Sequence, residues 1–286
     1  MFVSAPAKLI LFGEWGVTRG GTAVGTSLST RFFLRCEEQL PWECQFSGIS
    51  NHESAQAFFE RLLELGQWPK RGRWTTSMEF RDVEGLGSSS ALVSCLVRIL
   101  EPHGTLDELW LRSRSLIQAS QNPKASGFDA GLQIWGGSQV LRGSRHWSRV
   151  KLTHNPRVML VHTGAKISTA SALSSLSPKE VWVRRLSDSA EGFLKDQNWT
   201  DAMNEHDQLL RELGVVPKEC QELLQYWKQK KWIEAGKTTG AGGGDALLLY
   251  VVPEALRALQ EDVEKRGFWF QRATWESEGL RVEKAQ

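Results

Sequence analysis

The sequence predicts a fold of mixed strands and helices in two halves. Three patterns predict it: short apolar runs that end in glycine, apolar residues at helical spacing, and a change of pattern near residues 143–156. Residues 8–12 form an apolar stretch behind Lys8 and run into Gly13, which reads as a buried strand closed by a turn. A second strand is expected at residues 31–35. Ala55, Phe58, Phe59, Leu62 and Leu63 recur at helical spacing. Leu92, Cys95, Leu96, Ile99 and Leu100 do the same directly after GLGSSSA, so this helix starts at a glycine-serine loop. Thr105 with Glu108 has the form of a capping box ahead of Leu109, Leu116 and Ile117, and Ser177, Pro178 and Glu180 give the same start signal for a helix reaching Leu194. Beyond residue 157, VMLVHTG reads as a strand, three helical segments follow to about Lys231, and ALLLYVV is a strand after a glycine loop. A helix over residues 253–265, stopped at Gly267, then leads to a last strand at residues 268–274. The expected division is residues 1–150 and 151–286, with no internal repeat and no low-complexity segment.

With 286 residues, 41% hydrophobic and 24% charged, the chain can bury one large or two ordinary cores and is expected to be soluble and globular. Its 35 basic and 33 acidic residues nearly cancel, so no global field favours nucleic acid or an anionic membrane, and any anion must be held by a local site. Cys36, Cys44, Cys95 and Cys220 form no CxxC pair and are too few for a disulfide framework, which suits a reducing cytoplasm. No apolar run approaches the roughly 20 residues of a spanning helix, and MFVSAPAKLILFGE has no basic region before its apolar stretch, so neither an anchor nor a signal peptide is expected. His52, His103, His146, His154, His162 and His206 are too scattered for metal-ligand spacing. The 13 tryptophans read as packing residues, and the basic runs at 71–73 and 228–231 as solvated faces.

Chemistry concentrates in four places. GLGSSSA, residues 85–91, lies between a strand and a helix. Glycines let the backbone turn its N–H groups inward, and the new helix offers unpaired amides and the positive end of its dipole to an anion. The segment is either a phosphate seat, where Ser88 and Ser89 add hydroxyls able to reach a phosphate oxygen or a magnesium ion, or an ordinary serine N-cap with flexible glycines. It is not a Walker loop, since no GK[ST] follows. GAGGG, residues 240–244, follows Lys237, Thr238 and Thr239 and leads into a hydrophobic strand. Its glycines read as backbone packed against a ligand or the first loop, with a tight start to the strand as the alternative. Asp129 lies in SGFDAGLQIWGG, between Gly127 and the pair Gly136 and Gly137. In so apolar a run it is either a satisfied structural acid or a base poised for a hydroxyl proton. Lys8 is either a snorkelling surface lysine or a catalytic cation.

In order along the chain, APAKLILFGEWGV, GLGSSSA and KTTGAGGGDALLLY resemble the three motifs of the GHMP kinases, and SGFDAGLQIWGG is similar to the segment that holds the family's catalytic aspartate. Within the family the resemblance is to the mevalonate-pathway branch. HTGAKISTASAL (162–173) and MNEHDQLLRELGV (203–215) look like mevalonate kinase segments, and SGFD and Asp245 look like phosphomevalonate kinase ones. The resemblance implies an α+β, two-domain architecture: an amino-terminal domain like ribosomal protein S5, a ferredoxin-like carboxy-terminal domain, and a site between them. It implies a cytoplasmic enzyme of isoprenoid precursor synthesis, monomer or homodimer, that uses ATP and Mg2+ to phosphorylate the 5-hydroxyl of mevalonate, with the phosphate of 5-phosphomevalonate as the alternative acceptor. Asp129 would accept the hydroxyl proton. Lys8 would keep Asp129 charged and offset charge on the phosphoryl group. Gly85, Leu86, Gly87, Ser88, Ser89 and Ser90 would hold ATP, with Ser88 or Ser89 on the metal. Glu14, Trp15, Gly240, Ala241, Gly242 and Gly243 would face the substrate.

Four departures from the family pattern stand out. Ala7 replaces a glycine, and Trp15 stands where mevalonate kinases carry histidine; an indole cannot accept a hydrogen bond. Gln118 and Gln121 occupy the region where the family's helix supplies a magnesium-binding glutamate, and Asp82 and Glu84 place negative charge just before the phosphate loop. These departures open a second class, a non-catalytic sensor of nucleotide or metabolite, against which the retention of Lys8 and Asp129 argues.

Overall fold

The computed structural model of the chain describes residues 1–81, 85–153, 155–164, 180–240 and 244–284. Seven strands form the first sheet: β1 (Phe2–Phe12), β2 (Ala23–Glu37), β3 (Glu43–Phe46), β4 (Arg73–Met78), β5 (Ser138–Arg142), β6 (His146–Arg149) and β11 (Arg281–Val282). The order is β11-β1-β2-β4-β3, with β5 on β2 and β6 on β5; β3 and β4 are parallel and the other pairs antiparallel. β1 extends well upstream of the apolar run at residues 8–12, because residues 3–12 are buried on both faces and no polar alternation marks the strand. β2 is also longer than its apolar part, since Thr26 and Ser27 are buried as completely as the hydrophobic residues beside them.

Three helices pack on this sheet, α1 (His52–Gly66), α2 (Ser88–Leu100) and α4 (Phe128–Trp135), and α3 (Leu106–Ser120) packs across them. The helical spacing read at residues 55–63 and 92–100 corresponds to α1 and α2, which bury Phe59, Leu62, Leu92, Cys95 and Leu96 in the main core. α3 begins with the expected capping box, in which Thr105 and Glu108 satisfy each other's backbone N–H groups.

The second sheet has four antiparallel strands, β7 (Val158–His162), β8 (Ile233–Thr238), β9 (Ala246–Val251) and β10 (Trp269–Arg272), in the order β10-β7-β9-β8. Between β7 and β8 run α5 (Glu180–Asp196), α6 (Trp199–Glu212) and α7 (Lys218–Gln229), the three helices that the sequence predicts; α8 (Leu256–Lys265) joins β9 to β10. Counted within this half, the strands lie in the order 4-1-3-2. The start signal at Ser177 and Pro178 lies outside the described residues. β8 has no counterpart in the sequence prediction, because Glu234 and Lys237 interrupt its apolar pattern. No described helix is long and apolar enough to cross a membrane.

The last residues return to the first sheet. Leu28 bridges to Trp275, Val3 pairs with Val282, and Leu280 N–H donates to the Ile134 carbonyl at the end of α4 (3.3 Å). Arg31, 3% exposed, clasps this strap: its guanidinium donates to Ser4 Oγ (2.7 Å), the Gly279 carbonyl (2.6 Å) and the Glu278 carbonyl (3.3 Å). Arg31→Met leaves the buried Ser4 Oγ and Gly279 carbonyl without the guanidinium. It should lower the unfolding free energy by about 3 kcal/mol, the size of one or two charge-assisted bonds, as measured by urea titration. Limited proteolysis should then cut the strap before the rest of the chain; an unchanged digestion pattern would show that the strap is held by something else.

Candidate active site

A cleft of about 740 Å³ is lined mainly by the first half of the chain, with Gly240 and Asp245 reaching it from the second. One wall is Lys8 and Ile10 of β1 with Glu14, Trp15, Val17 and Thr18 of the turn that follows. The floor is the glycine-serine loop with the start of α4, and Gly240 and Asp245 close it from the second half. The turn after β1 depends on Gly13, which has φ +88°; a Cβ there would lie 2.1 Å from the Thr22 carbonyl oxygen.

Lys8 is no surface lysine. It is 5% exposed in β1, its N–H donates to the Leu86 carbonyl (3.0 Å), and its Nζ lies 3.2 Å from Asp129 Oδ2. Asp129 sits in the first turn of α4 with its side chain 38% exposed, so one partner is anchored and the other reaches the cleft. The start of α4 is held by Gly127, at φ +76°, whose carbonyl accepts the Trp110 indole N–H (3.0 Å).

The glycine-serine loop turns through Gly85 (φ +68°) and Gly87 (φ +88°), and Gly87 is the N-cap of α2. Gly85, Gly87, Ser88, Ser89 and Ser90 line the cleft, and the Gly87 carbonyl accepts Ser90 Oγ–H (3.0 Å) and Ala91 N–H (2.9 Å). The Leu86 side chain is the exception, buried in the main core while its carbonyl ties the loop to β1. A Cβ on Gly85 would lie 2.5 Å from Asp245 Oδ2, so the end of the second glycine cluster packs on the first loop. Gly240 lines the cleft. Ala241, Gly242, Gly243, Asp82, Glu84 and residues 165–173 lie outside the described residues. Gln118 is spent on the Ala125 carbonyl (2.8 Å), whereas Gln121 lines the cleft. Among the described residues no group of three or more His, Cys, Asp or Glu side chains is placed to hold a metal.

Three residues of this site form a network that the sequence prediction did not assemble. Glu14, 1% exposed, receives hydrogen bonds on both carboxylate oxygens, from Lys237 Nζ on Oε1 and from His206 Nε2 on Oε2 (2.9 Å). Lys237 and His206 are wholly buried. Lys237 also donates to the Thr238 carbonyl (2.9 Å), and Ser189 Oγ meets His206 Nδ1 at 3.2 Å. Burial alone would push the Glu14 carboxyl up, but Lys237 and His206 outweigh it and hold it below its ordinary value. Burial pushes Lys237 and His206 down, with Glu14 opposing in both. Beside an ionised Glu14 the neutral imidazole carries its proton on Nε2, leaving Nδ1 to accept from Ser189. The Gly13 N–H, 3.3 Å from Nε2, faces a nitrogen already committed. Glu14, expected to face substrate, thus lines the cleft with its charge already paired. Trp15, at φ +64° and 4% exposed, packs with Leu186, Leu209 and Leu210 in the second core and also borders the cleft. A lysine just ahead of a glycine cluster and a strongly apolar strand was the one sequence signal that could have marked Lys237.

Removing one member of a buried pair strands the other charge, so Lys237→Met should cost about 3–5 kcal/mol of stability. The double variant Glu14→Gln, Lys237→Met should recover most of it in urea titrations. If the double variant were no more stable than the single, the pair would not be the cause. His206 also sets a pH dependence. Its folded value lies below the ordinary 6.5, so as pH falls through that value the unfolded chain takes up the proton first. The stability is fully present above pH 6.5 and is lost below it, and Glu14 adds a second loss below its ordinary 4.5. Melting temperatures from pH 7.5 to 5 should fall, and fall less steeply in His206→Gln.

No protein-family model matches the chain. It is 24% identical over 272 residues to a mevalonate kinase of Methanothermobacter thermautotrophicus, covering 86% of this chain and 89% of that one. It superposes on a Streptococcus pneumoniae phosphomevalonate kinase in complex with phosphomevalonate and AMPPNP at a TM-score of 0.77, with 14% identity over 95% of this chain and 99% of the other. An L. major mevalonate kinase in complex with R-mevalonate matches at 0.73, with 18% identity and 95% of each chain covered. The chain shares the α+β fold of these structures.

Proposed function

We propose that this chain, a GHMP kinase of the mevalonate-pathway branch, transfers the γ-phosphoryl group of ATP to the 5-hydroxyl of mevalonate. The observation that carries this reading is the Lys8–Asp129 pair, 3.2 Å apart, set beside helix-terminal amides in one cleft. Phosphoryl transfer passes through a loose transition state in which positioning and charge stabilisation dominate. Asp129 accepts the hydroxyl proton or orients that oxygen, and Lys8 offsets charge on the transferring group. The amides of Ser88, Ser89 and Ser90 hold the ATP phosphates, aided by Gly85, Leu86 and Gly87. At Gly85 and Gly87 a Cβ would strike Asp245 or Lys8, which keeps the loop bare enough for phosphate to approach backbone. Magnesium fits the hydroxyls of Ser88 and Ser89 together with ATP oxygens, and when bound it neutralises phosphate charge. Glu14, Trp15, Gly240, Ala241, Gly242 and Gly243 form the acceptor side.

The 4-1-3-2 sheet supports a ferredoxin-like domain over residues 151–286, and the seven-stranded sheet an S5-like domain over residues 1–150, to which β11 returns. We place the enzyme in the cytoplasm, as a monomer or homodimer, with Cys36, Cys44, Cys95 and Cys220 as thiols. A second acceptor, the phosphate of 5-phosphomevalonate, rests on the likeness of SGFD and Asp245 to phosphomevalonate kinase segments.

ADP release measured with mevalonate and with 5-phosphomevalonate tests the reading. Turnover should appear with mevalonate. Asp129→Asn should reduce it on the order of 10³-fold while ATP-analogue binding persists. Lys8→Met should also cripple turnover, and full activity in either variant would remove its assigned role. Nucleotide binding without turnover on either acceptor would instead identify a sensor.

A further inference from the structure

Gln133 lies one helical turn after Asp129 on α4, so both side chains leave the same face of the helix. It is completely buried, and its Nε2 donates to the Gly87 carbonyl at 2.9 Å. Its Oε1 is buried with no hydrogen-bond partner among the described residues. Packing alone would favour leucine here, since a buried acceptor without a donor destabilises the fold. What distinguishes glutamine is the bond to Gly87. The other two donors to that carbonyl, Ala91 N–H and Ser90 Oγ–H, belong to α2 itself; Gln133 is the one that comes from another element. The apposition is close: a Cβ on Gly87 would lie 2.8 Å from Lys8 Cγ and 3.0 Å from Gln133 Nε2.

A trans peptide points its C=O and its N–H in opposite directions. A Gly87 carbonyl drawn toward Gln133 therefore turns the Ser88 N–H the opposite way, away from Gln133, on a residue that lines the cleft. We propose that Gln133 is a positioning residue that aims the Ser88 amide at the ATP phosphates and fixes its distance from Asp129. The proposal rests on the phosphoryl-transfer reading above. One rigid helix then carries the group that meets the acceptor hydroxyl and the group that orients the phosphate loop. The far end of that helix is held by the Leu280 N–H to Ile134 carbonyl bond.

The test compares the wild type, Gln133→Leu and Gln133→Glu for AMPPNP binding by calorimetry and for steady-state kinetics. Gln133→Leu should melt within a few degrees of the wild type. It should weaken AMPPNP binding and raise KM for ATP by about tenfold, the factor that corresponds to one lost hydrogen bond, and leave KM for the acceptor alcohol unchanged. Gln133→Glu supplies a readout that a packing role would not move: its protonated carboxyl can donate to Gly87, whereas its carboxylate cannot and repels phosphate. KM for ATP in this variant should climb with pH while that of the wild type stays level. Wild-type affinity and KM in a folded Gln133→Leu would overturn the proposal. Should that variant not fold, a level profile in Gln133→Glu would overturn it. A wild type that binds no AMPPNP would defeat the kinase reading itself, and this proposal with it.

Discussion

The pairing of Glu14 with Lys237 is the constraint on which the rest of the site depends. A carboxylate from the turn after β1 meets an ammonium from β8, so each half of the molecule supplies one charge and neither is exposed to water. Shifting one half against the other while the seam stays closed to water would leave each charge buried without its partner, at a cost of several kcal/mol. The pair thereby fixes the relative position of the two sheets at the cleft. Thr239 Oγ–H to the Ile10 carbonyl (2.7 Å) and the Phe12 ring 5.8 Å from Lys237 Nζ reinforce the same seam. His206 completes it by occupying the second carboxylate oxygen, which ties α6 to the turn and leaves Glu14 no charge to offer a ligand.

With that seam in place, the chemistry becomes a problem of aiming. Lys8 is held in β1 and faces Asp129, α4 is held at one end by the Gly127 carbonyl and at the other by the C-terminal strap, and the glycine-serine loop is bonded to both β1 and α4. The loop carbonyls of Leu86 and Gly87 turn inward to these partners, so the amides that follow are free to face an anion. Rigid elements thus set the separation between the loop amides and Asp129 before any ligand arrives, which is the condition that the proposed catalysis by orientation requires.

Much of this was legible in the sequence wherever the cause was local. The start of α2 at a glycine-serine loop, the capping box of α3, and the glycine-terminated strand β1 each follow from residues within one or two turns of each other. Asp129 and Lys8 could be singled out by their apolar surroundings, although whether either was a surface group stayed open until Lys8 proved buried and 3.2 Å from Asp129. β8 was missed because its buried lysine breaks the apolar pattern, and that lysine is tolerated only because Glu14 lies opposite it.

By itself the sequence determined most helices, the apolar strands that border glycine, and the resemblance to a kinase family, because these depend on periodicity, capping and motif spacing along the chain. Only the tertiary structure decided the partners. Gln133 and Gly87 are 46 residues apart, Glu14 and His206 are 192, and Glu14 and Lys237 are 223. A hydrogen bond acts over about 3 Å whatever the chain length between its ends, and nothing in the local pattern around a buried glutamine or glutamate says which distant group will meet it.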